Sequence, residues 1–83
     1  MCVWTGTQYT GSMWRTSATG TYTAIGPATI RSYFNNRSKR TYLHEQPDGG
    51  GVFACLKAGA KSASLSGWTL HAESVYLSTY TSC

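Results

Sequence analysis

Apolar and polar positions alternate along most of the chain with a period of two, in short runs broken by glycine, proline and asparagine, which is the pattern of strands. Val3-Trp4 opens a run that ends near Gly6, Met13-Trp14 resumes after Gly11, Thr21 to Ile25 alternates, and Thr29 to Phe34 is rich in β-branched and aromatic residues. Gly26-Pro27 and Asn35-Asn36 punctuate these runs as turns. The pattern then restarts: Thr41 to His44, a turn over Gln46 to Gly51, Val52 to Leu56, a Ser/Ala/Gly-rich stretch, and Val75 to Leu77. No window long enough for a helix repeats apolar residues at three-to-four spacing between a cap and a stop. An all-β domain follows.

The restart is a repeat. Trp4 and Gly11 lie seven positions apart, as do Tyr42 and Gly49, and the two pairs are offset by 38; Ser32 and Ser74 sit in later apolar runs at an offset of 42. Each half reads as a curled hairpin. The glycine supplies a positive φ that a residue with a Cβ adopts only under strain, the serine lies over the curl and bonds its backbone, and the aromatic covers the corner. Neither half can bury its apolar face alone, so the two are expected to close as a two-sheet Greek-key sandwich, with one motif over 2–36, the second over 40–78, and a short tail at 79–83.

With 83 residues the chain forms a single domain, and one this short buries only about 60% of the surface of its unfolded form, which makes a cross-link valuable. Cys2, Cys55 and Cys83 allow one internal bridge at a time, in any of three pairings. Charged residues are scarce at 12%, and Ser, Thr, Gly and Tyr supply the polar surface, as in secreted β proteins. No apolar run approaches the length of a membrane span, and no charged region followed by an apolar stretch marks the amino terminus, where Met1 before Cys2 reads as a start added to a mature sequence. The net charge of +4 is dispersed except at Arg37, Lys39 and Arg40, so a nucleic-acid partner is not expected and a solvated basic loop is.

The order aromatic, six residues, glycine, later serine resembles the βγ-crystallin motif, twice over. Cys2-Val3-Trp4-Thr5-Gly6 with Tyr9-Thr10-Gly11, Ser32-Tyr33-Phe34-Asn35-Asn36, Tyr42-Leu43-His44-Glu45 with Asp48-Gly49-Gly50, Cys55-Leu56-Lys57-Ala58-Gly59, and Trp68 followed by Ala72-Glu73-Ser74 resemble, in that order, segments of the small crystallin-fold peptidase inhibitors secreted by streptomycetes and related actinobacteria. The resemblance implies a Cys2–Cys55 disulfide, with a Cys2–Cys83 clip of the termini as its competitor. It also implies a peptidase partner. Calcium, which many crystallin motifs bind, is not expected: Pro27 to Ser32 and Thr69 to Ser74 lack the leading acidic or amide pair, and Arg31 puts a repelling charge into one of them.

Catalysis is not expected either. His44 and His71 are the only imidazoles, and Glu45, Asp48 and Glu73 the only carboxylates, too few and too scattered for a nucleophile with its base or for a carboxylate pair. No Cys/His cluster offers a metal site and no cofactor motif is present. A binding protein remains. An inhibitor presents a rigid loop to a peptidase cleft, and the connection Asn36, Arg37, Ser38, Lys39 and Arg40 is the candidate: its basic side chains suit the specificity pocket of a trypsin-like enzyme, whereas the resemblance points to metallopeptidases. Asn36-Arg37-Ser38 is also a formal glycosylation sequon. Two alternatives are a secreted antimicrobial or killer-toxin-like protein, and a carbohydrate-binding module using tyrosines such as Tyr9, Tyr33, Tyr76 and Tyr80.

Overall fold

The computed structural model describes residues 1–83. Eight short strands form it: β1 (Cys2–Trp4), β2 (Met13–Arg15), β3 (Tyr22–Ala24), β4 (Ser32–Phe34), β5 (Thr41–His44), β6 (Phe53–Leu56), β7 (Lys61–Ser62) and β8 (Ser74–Leu77). Single 3-10 turns at Pro47–Gly49 and Gly67–His71 are the only helical segments. The strands make two antiparallel four-stranded sheets, ordered β2-β1-β4-β7 and β3-β8-β5-β6. The all-β sandwich expected from the alternation is what forms.

The halves do not simply stack, however. Each sheet takes three strands from one half and its fourth, an edge strand, from the other: β7 pairs with β4, and β3 pairs with β8. Lys61-Ser62 lies in the stretch read from sequence as a polar connection, because two polar residues on an edge carry no alternation to detect. The exchange interlocks the halves, and the core lies between the sheets. Val3, Ile30, Leu43, Val75 and Leu77 are fully buried there, with Trp14, Tyr33 and Trp68 packed around them. Burying each such aliphatic chain contributes about 1.5–3 kcal/mol.

The two buried serines close the hairpins by the same contacts. Ser32 Oγ donates to the Gly6 carbonyl (2.7 Å) and accepts from the Tyr9 amide (3.1 Å); Ser74 Oγ donates to the Gln46 carbonyl (2.7 Å) and accepts from the Gly49 amide (3.1 Å). These bonds correct the internal alignment. Trp4 opposes Ser32 as His44 opposes Ser74, so Trp4 corresponds to His44, Tyr9 to Gly49 and Gly11 to Gly51, at an offset of 40 instead of 38. Tyr42 is the counterpart of Cys2, not of Trp4. The aromatic-to-glycine spacing misled because both Gly11 (φ +80°) and Gly49 (φ +79°) are left-handed, but at different points of their hairpins.

Tyr9, with φ +58°, bears the strain that glycine avoids at position 49, and its ring packs edge-on against Trp4 at 5.2 Å. In the second hairpin the covering ring comes from the other half instead. Tyr22 of the exchanged strand β3 fills the space over Gly49, so that a Cβ there would overlap its ring. Tyr22 then meets His44 edge-on at 5.4 Å.

The disulfide joins Cys55 to Cys83, and Cys2 is a free thiol; the expected Cys2–Cys55 bridge does not form. Cys2 stands beside Arg15 and Phe34 on the outer face of the first sheet, and Cys55 beside Tyr42 on the outer face of the second. Sheets packed about 10 Å apart place two outward side chains beyond the Cα separation of roughly 7 Å that a disulfide tolerates. The Cys55–Cys83 link closes 28 residues and ties the tail to β6, which in the loop-entropy model contributes about 3–4 kcal/mol.

Filling the space under Tyr22 tests the interlock. Gly49→Ala must both hold a left-handed φ and displace the Tyr22 ring, whereas Gly59→Ala, at φ +76° with open space around its Cβ, meets the backbone cost alone. Urea denaturation is expected to show about 1 kcal/mol lost at position 59 and at least about twice that at position 49. Equal losses would mean that Tyr22 does not brace the second hairpin.

Candidate functional site

The connection between the halves is built on Asn35, the residue that follows β4. Its carboxamide is fully buried. The two hydrogens of Nδ2 are shared among the carbonyls of Lys39 (3.1 Å), Leu56 (2.9 Å) and Lys57 (2.9 Å), and Oδ1 accepts from Thr41 Oγ1 (2.8 Å). Its backbone is fixed as well, with the amide on the Ala60 carbonyl and its own carbonyl receiving the Gly59 amide. One side chain thus pins the end of the loop, the start of β5 and the end of β6.

Two of the three basic side chains expected to reach a peptidase are spent on the same scaffold. Arg37 donates from Nη1 to the Arg40 carbonyl (2.6 Å) and Thr41 Oγ1 (3.1 Å), and from Nη2 to the Ser78 carbonyl (2.6 Å). Arg40 lies between the Tyr42 and Tyr80 rings, 5.0 Å from each centroid, and donates to the Ser82 carbonyl. These contacts make both guanidiniums part of the loop's frame. Lys39 is the one basic side chain of the connection without a hydrogen bond, partly exposed beside the exposed Ser38. Asn36 is exposed and accepts from the Met1 amine through Oδ1 (3.0 Å). An open cleft of about 510 Å³ runs alongside, lined by Cys2, Arg15, Asn36 and Arg37 among others.

Sequence reading saw the Asn35-Asn36 pair as a turn and missed the Asn35 hub. The signal was weak but real, since a polar residue directly following an apolar strand end is expected to be exposed, and Asn35 ends a run whose counterpart in the second half is the buried Leu77. The part the tail plays is not legible in sequence either: Tyr80 and Ser82 hold Arg40, alongside a backbone bond from the Arg40 amide to the Tyr80 carbonyl, and the disulfide ties the terminus to β6.

A second feature lies on the outer face of the sheet β3-β8-β5-β6. Tyr22, Tyr76 and Tyr42 stand side by side across three strands, and His44 and Phe53 form the next row. They enclose a shallow groove of about 200 Å³ with His44 as its floor. His44 is 7% exposed, yet neither ring nitrogen has a hydrogen-bond partner. Burial lowers its pKa from the ordinary value of 6.5, because the charged imidazolium would be stripped of water among aromatic rings. None of the described side chains forms a group of three or more potential metal ligands, and no helix is long and apolar enough to cross a membrane.

The depressed pKa carries a sign for stability. The unfolded chain takes up the His44 proton at higher pH than the folded one, so stability is complete above about pH 6.5 and falls as pH drops through the folded value. His44→Phe removes this dependence. Thermal melts at pH 7.5 and pH 5 are expected to differ less for the variant than for the parent, and the variant is expected to gain up to about 1 kcal/mol at neutral pH from losing an unsatisfied buried polar ring. An unchanged pH response would assign the acid sensitivity elsewhere.

No curated protein and no solved structure matches the chain. The model of peptidase inhibitor family I36 matches residues 1–56, from β1 through β6, a span that includes the Asn35 hub and the loop it holds. With two thirds of its length so matched, the chain belongs to peptidase inhibitor family I36.

Proposed function

We propose that this peptidase inhibitor engages its target through the Asn36–Arg40 connection, with Ser38 and Lys39 as the segment presented to the cleft. The family supplies the activity: the protein acts by binding a peptidase and not by turnover. The supporting observation is the way the loop is held. Asn35 grips it from below and Arg37 and Arg40 cross-tie it to β5, Ser78 and the tail, so docking immobilises few further torsions. Rigidity of this kind lowers the entropic cost of association. It also disfavours cleavage, because a loop that cannot relax keeps the newly formed ends together.

Lys39 sets the class of target. A partly exposed ammonium on a rigid turn suits the acidic specificity pocket of a trypsin-like serine peptidase. The disulfide and the family support an extracellular setting for this activity. The exchange of β3 and β7 between two serine-closed hairpins supports the crystallin-type reading of the fold, with motifs over 2–36 and 40–78.

Inhibition constants against a panel of serine and metallopeptidases test the reading. Lys39→Ala is expected to weaken inhibition of the sensitive enzyme by about 2 kcal/mol or more, roughly 30-fold. Asn35→Ala is expected to lose about 2–4 kcal/mol of folding stability and to turn the inhibitor into a slowly cleaved substrate. Full potency in Lys39→Ala, or potency confined to metallopeptidases, would remove the loop from the interface.

A further inference from the structure

The aromatic groove over His44 lies on the second sheet's outer face and is lined by none of residues 36–40. The molecule contains its own control for what the fold requires there. By the internal alignment, Tyr42 corresponds to Cys2, Tyr76 to Phe34, Tyr22 to Lys61, and His44 to Trp4. The first sheet folds in the same order with a thiol and an ammonium where the second has two phenol rings. Rings at these positions are therefore not a general requirement of the sheet; Tyr22 also covers Gly49 and Tyr42 also stacks on Arg40, but Phe53 and Tyr76 have no such second duty, and Tyr22 and Phe53 remain 48% and 61% exposed.

We infer that this groove is a binding site for a single neutral pyranose ring of a saccharide, with His44 as its polar floor and Tyr22, Tyr42, Phe53 and Tyr76 as its walls. Size comes first: about 200 Å³ is below the range of sites for drug-sized ligands and suits one ring. Hydrogen bonding comes next. Both nitrogens of His44 are buried and unpaired beneath the largely exposed Tyr22 and Phe53 rings, so an apolar occupant leaves them unsatisfied, whereas a hydroxyl admitted as those rings part can donate to one nitrogen or accept from the other in either tautomer. Charge decides the remainder. No carboxylate, guanidinium or ammonium lines the groove, which excludes compensation for an ionised ligand. A pyranose with equatorial hydroxyls combines an apolar face for the rings with a hydroxylated edge for the imidazole. Its neutral partners on the protein match it.

The test uses the whole protein, titrated with cellotriose and with chitotriose while the imidazole nitrogen resonances of His44 and the ring signals of Phe53 and Tyr76 are followed by NMR. Saturable shifts confined to the groove are expected with at least one of the two, with Kd at or below about 1 mM. Phe53→Ala, at an exposed position, and His44→Leu are each expected to weaken that binding about tenfold or more, with peptidase inhibition unchanged in the same preparations. Co-sedimentation with insoluble cellulose or chitin distinguishes a polymer from a free oligosaccharide, and binding to either supports the site. No saturable shift with either trisaccharide at about 10 mM would overturn the inference. So would undiminished binding by both variants, or groove binding of p-cresol, a mimic of a tyrosine side chain, in the absence of saccharide binding, which would mark a protein-docking surface instead. Because inhibition is read separately, failure here leaves the inhibitory loop standing, and the reverse.

Discussion

The buried carboxamide of Asn35 is where the two halves of the chain are held together. Four polar groups from three segments converge on it, and a buried polar group left without a partner costs about 1–3 kcal/mol. The geometry of those partners dictates much else. Because Thr41 and Lys39 are both bound to Asn35, the intervening chain has to turn within a few residues, and Arg37 can reach Thr41 and Ser78 only because that turn is tight. The loop and the ends of β5 and β6 are thus tied through one side chain, and the arginines of the loop extend the tie to the tail.

The second constraint is the pair of serine hydroxyls, and it explains why so small a domain can be pseudo-symmetric without being uniform. Ser32 and Ser74 fix the backbone of each curled hairpin, and once the backbone is fixed the outward side chains are free to differ. They do differ. Tyr9 holds a left-handed backbone with its ring edge-on against Trp4, while Gly49 leaves a space that Tyr22 enters from the opposite half. One sheet presents Arg15, Cys2 and Lys61, the other an aromatic surface.

What the chain revealed before its structure follows from which forces are periodic. Alternation of apolar residues exposed all but one of the strands, since Val3, Leu43 and Val75 must point inward and their neighbours outward. The two serines were legible because their runs resemble each other. The alignment of the hairpins was not, because the second curl carries positive-φ glycines at two points, Gly49 and Gly51, where the first carries Tyr9 and Gly11, and spacing alone cannot tell which glycine matches Gly11. Strand exchange and the Cys55–Cys83 pairing were equally hidden, as both depend on which face of which sheet a residue occupies. In the connection over 36–40, composition marks the basic side chains but does not separate Lys39 from Arg37 and Arg40, whose guanidiniums find carbonyls only in three dimensions.

The division of labour between arginine and lysine in that loop has a physical basis. A guanidinium carries five donors in a planar fork and stacks on aromatic faces, so Arg37 can join a carbonyl, a hydroxyl and a second carbonyl at once, and Arg40 can sit between Tyr42 and Tyr80. An ammonium on a flexible stem is poorly suited to either task and well suited to reaching outward. In this loop the arginines therefore hold the frame and the lysine is the basic side chain left without a hydrogen bond, free to meet a peptidase in the proposed mode.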